Sequence, residues 1–291
     1  MMEAQTARMQ IPEPQDVTTG ATPLLDVRGV SMRYHASGGA MLTALADVNL
    51  TVAAGEFVAL VGPSGCGKST LLALVAGLEE PAAGTIALHG DAGARRLGRA
   101  GYMPQRDLLL PWRRALDNAT AGLEAQGVSR RVARQRAHAI FADFGLDGFE
   151  RAYPSTLSGG MRQRVAFART VLAGGDLLLL DEPFGALDAL TRAGLQRWLL
   201  DVWERLKMSC LLVTHDVEEA LLLADRIYVL SPRPGHVQLE RRVPLARPRQ
   251  PEMLAQPDIL ALKAELLAAL SEGMEVNGTP MVADRRMEAA Q

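Results

Sequence analysis

The chain has 291 residues, 48% hydrophobic and 22% charged, a globular balance that excludes wholesale disorder and is long enough for one large domain or two small ones. Its 31 basic and 33 acidic residues leave a net charge of −2, so no global field recruits nucleic acid or anionic lipid. Two cysteines, no secretory pattern in Met1–Gly20 and an apolar run, Leu71–Leu78, far below the ~18 residues of a membrane span predict a soluble, intracellular protein.

Residues 1–23 are polar, carry Pro12, Pro14 and Pro23, and predict a mobile extension. Order is expected from Leu24–Val30. Phe57–Val61 is an apolar run between Gly55 and Gly62, the pattern of a buried parallel strand. A helix through Leu71–Leu78 follows, closed by Gly77 and Pro81, and then a strand over Gly84–Gly90. From about Gln105 to Gly174 apolar residues recur at helical spacing (Val132, Ile140, Phe144, Val165, Ala168, Val171, Leu172), which predicts a helical insertion. Strand texture returns at Leu177–Leu180 and Cys210–Val213 with a helical pattern, Leu190–Leu206, between them. That alternation predicts an α/β protein with a parallel sheet. Ile227–Leu230 and Val237–Val243 should pair across Pro234-Gly235. Asp258–Leu270 should be a helix with Ile259, Leu262, Leu266 and Leu270 on one face. After Gly278-Thr279-Pro280 the polar tail should be loose. The expected division is an extension (1–23), a main domain (24–245, helical part about 105–174) and a C-terminal extension with one helix (246–291).

Gly62-Pro63-Ser64-Gly65-Cys66-Gly67-Lys68-Ser69, then Thr70, fits the G-x-x-x-x-G-K-[ST] phosphate loop, with a strand before it and a helix after it. The glycines let backbone N–H groups turn towards phosphate oxygens, and the helix N-terminus adds positive potential. Lys68 would reach the β- and γ-phosphates and the Ser69 hydroxyl a Mg²⁺ ion. Cys66 sits before a helix N-terminus, beside Gly67-Lys68, a setting that lowers a thiol pKa. The alternative is an inert small residue filling the turn.

Leu177–Leu180 runs into Asp181-Glu182-Pro183, two carboxylates at the C-terminal end of a buried strand, where open α/β sheets bind ligands. Asp181 is the expected Mg²⁺ group and Glu182 the expected general base. Leu157-Ser158-Gly159-Gly160-Met161 precedes a helix, so Ser158 and the neighbouring N–H groups offer a second anion site. The paired glycines would cost helix stability unless backbone has to approach a ligand.

Together these residues resemble the ATP-binding subunit of an ATP-binding cassette (ABC) transporter over about residues 24–245. Leu157–Met161 resembles the family signature, with Met161 where glutamine is commoner. The resemblance implies a P-loop, RecA-like parallel-sheet core with an antiparallel β subdomain and a helical, signature-bearing insertion. It also implies further roles. Gln105 would touch Mg²⁺ or the attacking water and face the membrane partner. Asp188, in Gly185-Ala186-Leu187-Asp188, would communicate across a dimer. His215 would contact the γ-phosphate, and Tyr34 would stack on adenine. Tyr34 could equally be a half-buried strand tyrosine. The Arg-rich stretches Arg95–Arg99 and Arg130–Arg136 read most simply as solvated faces, the alternative being contact with phospholipid or a partner.

Leu109-Leu110-Pro111-Trp112-Arg113 and Leu116-Asp117-Asn118, following Gln105, together with Asp181–Asp188 and Ser231–Gly235, resemble importers of the nitrate, sulfonate and taurine group. That group includes subunits for thiamine-pyrimidine precursors. Trp112 is either a core aromatic or an interface anchor. The implied partners are a second copy of the chain, membrane-spanning permeases and, through the complex, an extracytoplasmic solute-binding protein, at the cytoplasmic face of the inner membrane. ATP and Mg²⁺ are the implied ligands, and nucleic acid is not expected. The rival readings are an exporter subunit, a non-transport ABC ATPase and a soluble kinase.

Overall fold

The computed structural model describes residues 22–35, 39–93 and 95–275. Residues 1–21 of the extension expected over 1–23, residues 36–38, residue 94 and the tail from 276 lie outside them. The chain opens with two long strands, β1 (Leu25–His35) and β2 (Met41–Val52), which pair antiparallel. β3 (Phe57–Val61) leads into α1 (Lys68–Val75), and β4 (Ala83–Leu88) returns to pair antiparallel with β1. The resulting three-stranded sheet has the order β2-β1-β4.

After β5 (Gly101–Met103) come α2 (Ala115–Ala119), α3 (Ala121–Ala125), α4 (Arg130–Phe141) and α5 (Gly159–Ala173), the expected helical insertion. β6 (Leu177–Asp181), α6 (Ala189–Leu206), β7 (Ser209–Thr214), α7 (Val217–Leu223) and β8 (Arg226–Leu230) restore the alternation. β9 (Val237–Arg242) pairs antiparallel with β8, and α8 (Pro257–Glu275) contains the helix expected near the C-terminus.

The second sheet has the order β5-β6-β7-β3-β8-β9 and is parallel except at β9. Strand side chains alternate between faces, and that splits the core in two. Phe57, Ala59, Leu178, Leu180, Cys210 and Leu212 face the helices α5 to α8. Val58, Leu60, Leu177, Leu179, Leu211 and Val213 face α1 and the antiparallel sheet. Both faces are covered, which is why these strands read as continuous apolar runs rather than alternating ones. Each buried leucine contributes roughly 1.5–3 kcal/mol of transfer free energy.

α8 is held by its apolar stripe. Ile259, Leu262 and Leu266 are buried in the helix-side core, and Lys263 pairs with Glu218 of α7. Arg249, buried before α8, donates to the carbonyls of Leu221 and Ala224 at the end of α7. Burial lowers its pKa to about 10, still charged at neutral pH. The reading of Arg95–Arg99 as a solvated face fails at Arg96, which is buried and donates to Leu74 O and Glu80.

Candidate active site

Four adjacent strands, β5, β6, β7 and β3, end on the same edge of the sheet and deliver the chemistry there. β3 runs into the Gly62–Ser69 loop, β6 ends at Asp181 and β7 at Thr214, and Gln105 stands two residues beyond β5. This is the edge at which open α/β sheets hold ligands.

The loop is shaped by close approaches. A Cβ on Gly62 would lie 2.8 Å from Cys66 Sγ, and one on Gly67, at φ +110°, would lie 2.6 Å from Leu45 Cδ2. Lys68 is buried at the start of α1, its Nζ donating to the carbonyls of Gly62 (2.7 Å) and Pro63 (3.0 Å). Pro63, Ser64 and Gly65 form the outer turn, and Thr70 follows Ser69 in the first turn of α1. Arg233, from the β8–β9 connection, donates to Gly65 O at 2.8 Å. Gly235 passes so close that a Cβ there would collide with Cys66 O. Sequence reasoning missed this buttress because the two segments are 168 residues apart.

Ser69 Oγ donates to Asp181 Oδ1 at 3.0 Å. Burial pushes the Asp181 carboxyl above its ordinary value, against the Ser69 hydrogen bond, so an approaching cation would be welcome. Glu182, the next residue, has φ +44°. A non-glycine residue in that region is costly and clusters at functional sites. Here the turn aims Glu182 Oε2 at two groups, Gln105 Nε2 (3.3 Å) and His215 Nδ1 (3.2 Å). A carboxylate so placed can accept a proton from water.

Ser158 caps α5, its Oγ accepting from Met161 N at 3.2 Å. Gly159 and Gly160 have a packing reason within the chain: a Cβ would lie 3.3 Å from Leu187 Cδ2 and 3.1 Å from Thr191 Cγ2 respectively. Ligand approach is thus not the sole reason for the pair. Met161 packs against the helix-side core. Asp188 caps α6, its Oδ1 accepting from Thr191 N at 3.0 Å, and that bond holds its carboxyl below its ordinary value. Neither Ser158 nor Asp188 is shown in contact with the Glu182 cluster.

Tyr34 lies on β1, and its hydroxyl donates to Glu79 Oε2 at 2.6 Å. Burial and Glu79 push the phenol up, with Thr70 opposing. The expectation of a reactive Cys66 is corrected. The residue is 1% exposed, and burial raises its thiol above its ordinary value despite Lys68 and Arg233. Burial in apolar surroundings outweighs the helix terminus.

The Gln105 loop is braced by its neighbours. Arg162 and Arg169 of α5 hold Asp107, and Asn118 accepts from Leu110 N (2.7 Å) and donates to Arg113 O (2.9 Å). Trp112 projects from this segment at 73% exposure, so it is not a core aromatic.

A phosphate loop, a hydroxyl–carboxylate pair and a poised carboxylate define a P-loop ATPase core. The family profile described as "ABC transporter" matches residues 45–185. The chain is 43% identical to the formylaminopyrimidine import ATP-binding protein ThiZ of Halalkalibacterium halodurans, over 86% of this chain and 97% of that one. It is 45% identical to the aliphatic sulfonates import ATP-binding protein SsuB 2 of Burkholderia lata, over 90% and 91%. Among solved structures, the dimeric post-hydrolysis ATP-binding cassette MJ0796 bound to ADP and Pi superposes with a TM-score of 0.65 at 29% identity, covering 76% of this chain and 100% of that one. The chain belongs to the ABC transporter family, as one of its ATP-binding, ATP-hydrolysing cassettes.

Proposed function

We propose that this chain energises an importer of small solutes by hydrolysing ATP as one of a pair of cassettes. The carrying observation is Glu182 Oε2, shared by His215 and Gln105 beside the phosphate loop. Backbone N–H groups of Gly62–Thr70 cradle the phosphates, Lys68 leaves its loop carbonyls for the β- and γ-phosphates, and Tyr34 stacks on adenine. Glu182 takes a proton from the attacking water, and His215 and Gln105 hold that carboxylate in line.

The oxygen donors Ser69, Asp181 and Gln105 suit Mg²⁺, which usually binds through one or two carboxylates plus substrate phosphates. Among the described residues no cluster of three or more His, Cys, Asp or Glu could hold a metal alone, in keeping with a shell completed by phosphate. The ion would neutralise phosphate charge.

A second copy of the chain completes the site. Its Ser158–Gly160 edge, at the N-terminus of α5, closes over the γ-phosphate, and its Asp188 loop reports across the interface. The dimeric form of the similar cassette supports this reading. Among the described residues no helix is long and apolar enough to cross a membrane. On the importer reading, supported by the import ATP-binding relatives, the solute path belongs to permease subunits, with this chain on their cytoplasmic face and a solute-binding protein outside.

We take the cargo to be a small anion of the nitrate, sulfonate or taurine type, on the Leu109–Arg113 segment and the sulfonate-named relative. A formylaminopyrimidine-like solute is the second reading, favoured by the ThiZ relative. Recovering the tagged full chain from membranes of its host tests the importer reading. Co-recovery of a polytopic permease and ATPase stimulated by one solute class are expected. Recovery of the chain with no membrane protein would contradict it.

A further inference from the structure

Glu219 lies on α7, four residues beyond His215, and is buried. Its Oε2 accepts from Gln196 Nε2 of α6 at 3.2 Å, while among the described residues its Oε1 has no hydrogen-bond partner. A buried, unpaired carboxylate oxygen in a native fold calls for an explanation.

Two cavities meet at this side chain. The first, about 10 Å³, is lined by Glu182, His215, Thr214, Asp216, Arg192 and Glu219, and has room for about one water among polar partners. The second, about 240 Å³, lies between α6, α7 and the segment before α8, with exposed Ala193, Arg197 and Glu218 on its rim. Glu219, Arg192 and Asp216 line both.

We infer that Glu219 carries the hydrolysis proton out of the active site, receiving it from the Glu182–His215 pair through the one-water cavity and releasing it into the α6–α7 cavity. This rests on the reading of Glu182 as the base. Water attack forms the new P–O bond while the water O–H breaks and its proton goes to Glu182. ADP leaves with the electron pair of the old P–O bond. Glu182 then passes the proton to the intervening water, which gives one of its own to Glu219 Oε1. Glu219 loses it to solvent, and Glu182 is a base again.

The groups facing Glu219 suit a relay. Burial pushes its carboxyl up to about 7, with Asp216 adding and Thr214, Gln196 and Arg192 opposing. His215 and Glu182 face it across the small cavity, and Glu218, Arg197 and Arg249 across the large one. A group near neutrality can both accept and release a proton at working pH.

The test is steady-state ATPase of the full chain from pH 6 to 9 for the parent, Glu219→Gln, Glu219→Asp and Glu182→Gln. Glutamine keeps the acceptor for Gln196 but cannot take a proton. Parental kcat should rise through about pH 7. Glu219→Gln should lose about tenfold or more in kcat, lose that rise, and keep its KM for ATP. Glu219→Asp should restore the rise in part. A Glu219→Gln variant with parental kcat and pH profile overturns the relay, as does one that loses activity together with thermal stability at an unchanged profile. Glu182→Gln separates the two readings. If it abolishes turnover while Glu219→Gln matches the parent, the relay alone fails; if it keeps turnover, the base assignment and the relay fail together.

Discussion

Glu182 and His215 meet with Oε2 and Nδ1 3.2 Å apart, although they leave different strands. The two strands, β6 and β7, are neighbours, and Glu182 N donates to Val213 O at 2.9 Å, so the carboxylate and the histidine turn share one backbone anchor. Gln105 reaches the same oxygen from β5. A movement of either partner loop is therefore felt at Glu182, the proposed base, which gives the proposed coupling between nucleotide and membrane partner a physical route.

That route should pass through Trp112. Its exposure separates the anchor from the core reading, and its segment is fixed by Asn118 and by the Arg113–Glu124 pair at 2.8 Å. Trp112→Ala should leave the melting temperature and the isolated chain's ATPase unchanged. It should weaken assembly with the permease by about 2 kcal/mol or more, the scale of an interface hot spot. Differential scanning fluorimetry and complex recovery on one preparation check this, and early melting would contradict it.

The thiols should resist alkylation. Cys66 and Cys210 are both buried, and burial pushes both thiols above their ordinary value. A maleimide at neutral pH should leave ATPase intact with or without nucleotide and label fully only in denaturant. Rapid inactivation blocked by Mg-ATP would restore the reactive-thiol reading.

Glu219 should also mark the stability curve. Its folded pKa, about 7, lies above the ordinary 4.5, so the folded state binds its proton more tightly than the unfolded chain does. Stability from this group is thus complete below about pH 4.5 and is lost as pH rises through about 7, by roughly 3 kcal/mol in all. Glu219→Gln should remove that loss, so its melting temperature should gain on the parent between pH 5 and 8. Parallel curves would contradict the assignment.

The strands and the phosphate loop were legible because their signals are local: continuous apolar runs for a doubly covered sheet, and glycines at fixed spacing. β2 escaped although Val48-Asn49-Leu50-Thr51-Val52 alternates cleanly, because Ala44, Ala46 and Asp47 blur the period earlier in the strand. β5 is three residues long, too short for any periodicity. The helix expected through Leu78 stops at Val75, where Gly77 at φ +73° packs against Arg96 and Leu97. At the site, sequence supplied Asp181, Glu182 and His215 but not Arg233 or Glu219. The burial of Glu219 depends on α6 and the C-terminal segment closing over it, which no local pattern records.

The most direct measurement is made on Glu182→Gln with saturating ATP and Mg²⁺, following nucleotide binding, hydrolysis and mass in solution together. If Glu182 is the base and two chains close over ATP, the variant should bind ATP like the parent and hydrolyse it about 10²-fold or more slowly. It should then accumulate as a dimer that the parent forms only transiently. Near-parental hydrolysis, or a variant that stays monomeric with ATP bound, would contradict the account.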